Sequence, residues 1–120
     1  MQIAGTVDYQ IGMLYRERGY GARSIEAFER IQTQDPAAIP ARRELAVLYE
    51  QANRLGEAVR SHQIVLAAIP GNISSLVGTA RVYKRMGDRV NYDNAIAQLR
   101  SLYPGNTQVE NEIRRLESAP

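Results

Sequence analysis

Leu45–Asn72 reads LAVLYEQANRLGEAVRSHQIVLAAIPGN, and Thr79–Asn106 reads TARVYKRMGDRVNYDNAIAQLRSLYPGN. The second stretch starts 34 residues after the first, and both hold tyrosine at the fifth place and close on Pro-Gly-Asn. The step extends upstream: Tyr15, Tyr49 and Tyr83 are 34 residues apart, Pro36, Pro70 and Pro104 keep the same interval, and 21 residues separate tyrosine from proline in every unit. Two residue types locked in one register mark a repeat protein, whose units stack and contact chiefly their neighbours.

The step divides the chain into Gly5–Ala38, Ile39–Asn72 and Ile73–Asn106. Gly12, Ala46 and Ala80 form a column of small residues, and Ile31, Val65 and Leu99 an apolar one. Ser24, Ala58 and Tyr92 share a third column, and Phe28, His62 and Ile96 a fourth. Small residues let helix backbones approach, and large ones fill the space between layers. Each unit reads as two helices. In the first, Thr6 is the expected N-cap of a helix over Val7–Arg18, Gly19-Tyr-Gly21 breaks it, and a second helix runs over Ala22–Gln34 to stop before Pro36. Pro40 opens the second unit at a first helical position, with the break at Asn53–Gly56. Ser74 is the expected cap in the third unit, whose break is Gly87-Asp88. Pro70-Gly-Asn72 and Pro104-Gly-Asn106 read as equivalent turns. Beyond them Val109, Ile113 and Leu116 make one apolar stripe on a polar helix over residues 107–117, which suits a terminal cap. Glu110 and Arg114 stand there in i, i+4 order. No matching cap precedes the first unit. Three explanations stay open: poor cover by Met1–Gly5, removal of upstream repeats, or burial by a partner.

These columns resemble the tetratricopeptide repeat, carried by Gly12, Tyr15, Gly19, Phe28 and Pro36, by Leu45, Ala46, Tyr49, Ala58 and Pro70, and by Ala80, Tyr83, Gly87 and Pro104. The resemblance spans about residues 5–106. It implies an all-α fold: a right-handed α-solenoid of three helix–turn–helix units plus a C-terminal capping helix, seven helices in a single domain over residues 1–120. The family's early tryptophan is replaced by Asp8, Arg42 and Leu76. His62 stands where an aromatic is usual. Tyr92 replaces an alanine, which implies looser packing or a tyrosine turned partly outward.

The resemblance also implies a concave groove lined by first helices. Its residues would be Tyr9, Met13, Arg16 and Glu17, then Arg43, Val47, Glu50 and Gln51, then Val77, Arg81, Lys84 and Arg85. Formal charge by unit is −1, +1 and +3, with −1 on the tail, so the groove looks polarised. Arg81, Lys84 and Arg85 form a basic cluster on which an acidic side chain or C-terminal carboxylate could dock, because arginine forks onto carboxylates. A solvated basic face is the competing interpretation. Chaperone-binding members of the family grip an EEVD-type tail with a Lys/Asn clamp. The corresponding places here hold Tyr9, Met13, Val47, Val77 and Arg81, and Arg81 alone is suitable, so no chaperone-tail receptor is expected.

Function therefore reads as a non-catalytic protein-interaction scaffold for a peptide, helix or partner protein. A second class is an anion or RNA binder using Arg81, Lys84, Arg85, Arg89 and Arg100. Self-association is a third possibility, through Ile3, Val7, Ile11 and Leu14 on the first helix. An enzyme is not expected. His62 is the sole histidine and reads as a packing residue with one hydrogen bond. Glu26 with Arg30 reads as a surface pair, and no phosphate loop or nucleophile elbow occurs. No cofactor or metal is implied, and the absence of cysteine excludes disulfides and thiolate sites.

The bulk numbers fit one ordinary domain: 120 residues, 44% hydrophobic, 23% charged, net charge +2. No apolar run approaches a membrane span, and no signal peptide is visible. Fourteen arginines against one lysine, with many alanines, point to a GC-rich bacterial genome. Bacterial family members of this size often act in envelope, pilus or secretion assemblies, so the resemblance implies such a setting, in the cytoplasm or periplasm.

Overall fold

The computed structural model describes residues 3–120. Seven helices follow in order: α1 (Ile3–Glu17), α2 (Gly21–Glu29), α3 (Ala38–Gln51), α4 (Leu55–Ala68), α5 (Ile73–Met86), α6 (Arg89–Leu102) and α7 (Thr107–Ser118). No strand occurs among the described residues. The helices pack as successive pairs, α1 on α2, α3 on α4 and α5 on α6, while α7 lies against α5 and α6. The result is an elongated all-α helical repeat of 42 × 28 × 22 Å.

One backbone device makes the turn inside every unit. Gly19, Asn53 and Gly87 occupy one column, and all three have left-handed backbone, with φ of 79°, 61° and 73°. The next amide then reaches back to the carbonyl of the repeated tyrosine: Tyr20 N–H to Tyr15 at 2.9 Å, Arg54 to Tyr49 at 2.8 Å and Asp88 to Tyr83 at 3.0 Å. That six-to-one bond closes a Schellman motif, which satisfies the last carbonyls of each first helix. Glycine adopts this conformation without steric cost, and asparagine is the side chain that tolerates it best.

The helix limits differ from the sequence expectation in instructive places. α1 begins at Ile3, so Thr6 lies inside it and is not its cap. Asn72, not Ser74, caps α5, its side chain accepting the Ser75 N–H at 2.8 Å. Asn106 does the same for α7 with Val109 at 3.0 Å, so the two Pro-Gly-Asn turns end on one capping device. Pro40 is the third residue of α3, still within the turn whose amides need no intrahelical partner. Gly56 lies within α4, and the break is confined to Ala52–Arg54. α2 stops at Glu29, five residues short of the expected Gln34. The backbone turns there instead: Asp35 N–H bonds Gln32 O at 3.0 Å, and the Asp35 carboxylate accepts the Ala37 N–H at 2.8 Å. Such local side-chain bonds compete with helix continuation.

Two apolar clusters form the core. One joins Ile25, Phe28, Leu45, Leu48 and Tyr49, the other Leu76, Ala80, Leu99, Val109 and Ile113, and Tyr83 packs against both. Tyr92 is buried in the second cluster and does not turn outward. Phe28 lies so close over Gly12 that a Cβ there would come within 2.7 Å of its ring. Gly78 in α5 similarly admits the His62 ring, whose Nε2 occupies the space of an added Cβ. His62 is 4% exposed, as a packing residue should be, yet neither ring nitrogen has a hydrogen-bond partner among the described residues. The expected single bond is therefore missing.

Burial pushes the His62 pKa down to about 4, reinforced by the Arg81 guanidinium and opposed by Glu50. A folded-state value below the ordinary histidine value of 6.5 means stability is fully present above that pH and is lost as pH falls toward 4. Substituting His62→Leu removes the unpaired polar ring and keeps a similar volume. It should raise stability at pH 7 by about 1 kcal/mol and flatten the decline between about pH 6.5 and 4, as read by urea denaturation across pH.

Candidate functional site

The first helices α1, α3 and α5 carry the residues expected to line the groove. Two adjoining depressions lie between α5 and α7, of about 480 and 250 Å³, sharing Val77, Arg81 and Glu112. Val77 and Leu116 give the larger one an apolar floor, and Arg85, Lys84 and Arg115 stand around it.

The other expected residues distribute unequally. Tyr9 and Met13 are half-buried and pack on the first core cluster, Tyr9 meeting Phe28 edge-on at 5.5 Å between centroids. Val47 is half-buried, and Arg43, Gln51, Arg16 and Glu17 are exposed. Val77 is buried in the second cluster while still reaching the depressions. Glu50 is only 9% exposed.

The basic cluster is not free. Arg81 forks onto the Glu50 carboxylate, Nε at 2.7 Å and Nη2 at 2.9 Å. This charge-assisted pair is the main reason the Arg81 pKa is raised. Arg85 donates to the Glu50 carbonyl at 3.0 Å and to Asn53 Oδ1 at 3.1 Å. Lys84 donates its amine to the carbonyls of Leu116 and Ala119, the latter at 2.7 Å, and so caps the C-terminal end of α7. Arg16, Glu50 and Lys84 occupy one repeat column, and each bonds to the next first helix or to α7: Arg16 to Glu44 of α3, Glu50 to α5, Lys84 to α7. Composition alone did not reveal this column as a tie between units. Its signal is separation, since the partners lie 28 to 35 residues apart, near one repeat step.

Elsewhere the pairings also depart from expectation. Arg30 bonds Asp8 at 3.1 Å rather than Glu26. Glu110 pairs with Arg100 at 3.3 Å, and Arg114 with Asn111, so the expected Glu110–Arg114 pair is not formed. Arg89 pairs with Asp93 at 3.1 Å. On α1, Val7 is 46% and Leu14 53% exposed, Ile11 is half-buried, and the Ile3 side chain lies outside the described residues. Among the described residues no three His, Asp or Glu side chains gather as a metal site, and no helix is long and apolar enough to cross a membrane.

Removing the α7 clamp should loosen α7 alone. Lys84→Met keeps the aliphatic stem and deletes the two bonds. Hydrogen exchange should then show α7 amides opening about tenfold more often, with α3 and α4 unchanged.

No protein-family model matches the chain, and no curated protein matches it. Solved structures do. The chain is similar to one described as the first TPR of Spaghetti (RPAP3) bound to HSP90 peptide SRMEEVD, at 14% identity and TM-score 0.78, covering 98% of this chain and 93% of that one. It is similar also to the second TPR domain of the human RPAP3 protein in complex with HSP70 peptide SGPTIEEVD, at 17% identity and TM-score 0.75, covering 98% and 96%. The chain thus has the fold of tetratricopeptide-repeat domains.

Proposed function

We propose that the chain is a non-catalytic protein-interaction scaffold that takes a peptide or helix of a partner protein in the groove between α5 and α7. The paired depressions sharing Val77, Arg81 and Glu112 carry this reading, because they offer an apolar floor with polar groups at its edge. The two structures described above are of domains bound to peptides, which supports a peptide ligand here. A carboxylate docking on Arg81 and Arg85 meets a resident carboxylate at Glu50, so apolar anchoring leads. The RNA alternative loses support, since Arg81, Lys84, Arg85, Arg89 and Arg100 each have an intramolecular partner. The arginine-rich, lysine-poor composition supports a bacterial source, where an envelope or secretion assembly would be a fitting setting.

Peptides selected from a displayed library should shift the amide resonances of α5 and α7. Ser74→Trp, which fills the smaller depression from an exposed position, should weaken them at least about tenfold. Selected peptides that shift only α2, α4 and α6 would defeat the proposal.

The peptide SRMEEVD tests the missing clamp. With Tyr9, Met13, Val47 and Val77 at the clamp places, it should bind no tighter than about 1 mM. Micromolar affinity by calorimetry would show that another set of donors replaces the clamp.

A further inference from the structure

The arginines of the groove are already held by an anion of the protein's own. Glu50 belongs to α3, yet its carboxylate is held by α5. Arg81 presents Nε and Nη2 to it at 2.7 and 2.9 Å, the fork that an arginine offers to a ligand carboxylate. Arg85 stands 3.6 Å from the same carboxylate and is steadied by the Glu50 carbonyl and by Asn53. Both arginines also border the larger depression. An acidic ligand must therefore share these donors with Glu50 or displace it. Displacement would leave a largely buried carboxylate without its partner, which is strongly unfavourable. Sharing would bring a second carboxylate against the first. A neutral ligand seated on Val77 and Leu116 meets neither penalty.

We infer that Glu50 is a specificity-determining residue of the groove: an internal carboxylate that occupies Arg81 and Arg85 and turns acidic partners away in favour of peptides held by an apolar anchor. The inference rests on the groove being the peptide site. It goes beyond it by assigning the class of peptide and the residue that selects it. Only one acidic side chain lines the larger depression, Glu112, against Arg81, Lys84, Arg85 and Arg115. Without Glu50 the same surface would carry one more net positive charge and a free Arg81 fork, and would favour acidic ends. How readily the Arg81 fork is open to an acidic end thus depends on one residue from the neighbouring unit.

The test uses two fluorescein-labelled probes in anisotropy titrations: Ala-Leu-Ala-Leu-Asp-Asp with a free C-terminus, and its amidated Asn-Asn counterpart. Glu50→Gln keeps the side-chain shape and removes the charge. It should bind the acidic probe about tenfold more tightly than the unaltered protein, with the neutral probe within about twofold. Asn53→Gly suits the left-handed backbone at that position and releases one Arg85 donor without touching the carboxylate. It should raise acidic-probe affinity about threefold, a second reading if Glu50→Gln does not fold. Equal acidic-probe affinity in the unaltered protein and the folded variants, including no binding by any, overturns the inference. Failure of the groove itself would show separately, as selected peptides that leave α5 and α7 resonances unmoved.

Discussion

Close approach of helices at positions without a bulky side chain is the constraint on which this stack depends. Phe28 reaches its place because Gly12 has no Cβ, and His62 reaches its place because Gly78 has none. Ser24 then donates to the Gly12 carbonyl at 2.7 Å, a bond available only at such short separation. One repeat step beyond Gly78 stands Glu112, on α7. No comparable approach is available there, and an open cleft of about 620 Å³ remains between α6 and α7, bordered by Tyr92, Ile96 and Glu117. Tyr92, where the other units hold Ser24 and Ala58, fills part of the widened space with an aromatic ring. In this column only the α4–α5 contact is closed by a glycine, since Glu44 and Glu112 hold the equivalent places in α3 and α7. At this end Lys84 adds a tie from α5 to the last carbonyls of α7.

The groove-facing residues serve two purposes. Arg16, Glu50 and Lys84 each reach across to the following helix, so the surface expected to bind a partner also holds the units in register. A side chain pinned this way loses little further freedom when a ligand arrives, which favours binding. The same pinning spends donors that a ligand would otherwise use. Charge counted per unit overstates what the third repeat offers to an anion, because its cations are engaged by Glu50, Asn53, Asp93, Glu110 and the α7 carbonyls.

The architecture was legible in the sequence because its determinants are local and repeated. The tyrosine column supplies the carbonyl that closes each internal turn, and the Gly19, Asn53 and Gly87 column supplies the left-handed residue. The helix ends were less legible where a second local bond competes. Pro36 suggested a late stop for α2, but Asp35 captures the Ala37 amide and the chain turns earlier. Asn72 and Ser74 are both good caps, and only the geometry of the Pro-Gly-Asn turn chooses between them. The site was legible as a face and not as a network. Pairings within one helix, such as Glu26 with Arg30 and Glu110 with Arg114, were the ones sequence spacing offered, yet Arg30, Glu110 and Arg114 bond elsewhere. Arg30 and Glu110 take partners on neighbouring helices, and Arg114 takes Asn111 on its own, because surface pairs within a helix stabilise too little to hold one arrangement against another.

Fold and ligand separate cleanly in this chain. At 14 and 17% identity the backbone still follows its structural neighbours closely, because few positions are needed to set the turns and the close approaches. The positions that would read a peptide lie outside that set. Tyr9 and Met13 are committed to the Phe28 cluster and supply no ammonium or amide for a carboxylate clamp. Val77 belongs to the core as much as to the groove. Arg81, the one residue that suits a clamp, is held by Glu50. Between α5 and α7 this chain presents an apolar floor with cations already engaged by its own groups, and the likeness in shape carries no implication of a shared ligand.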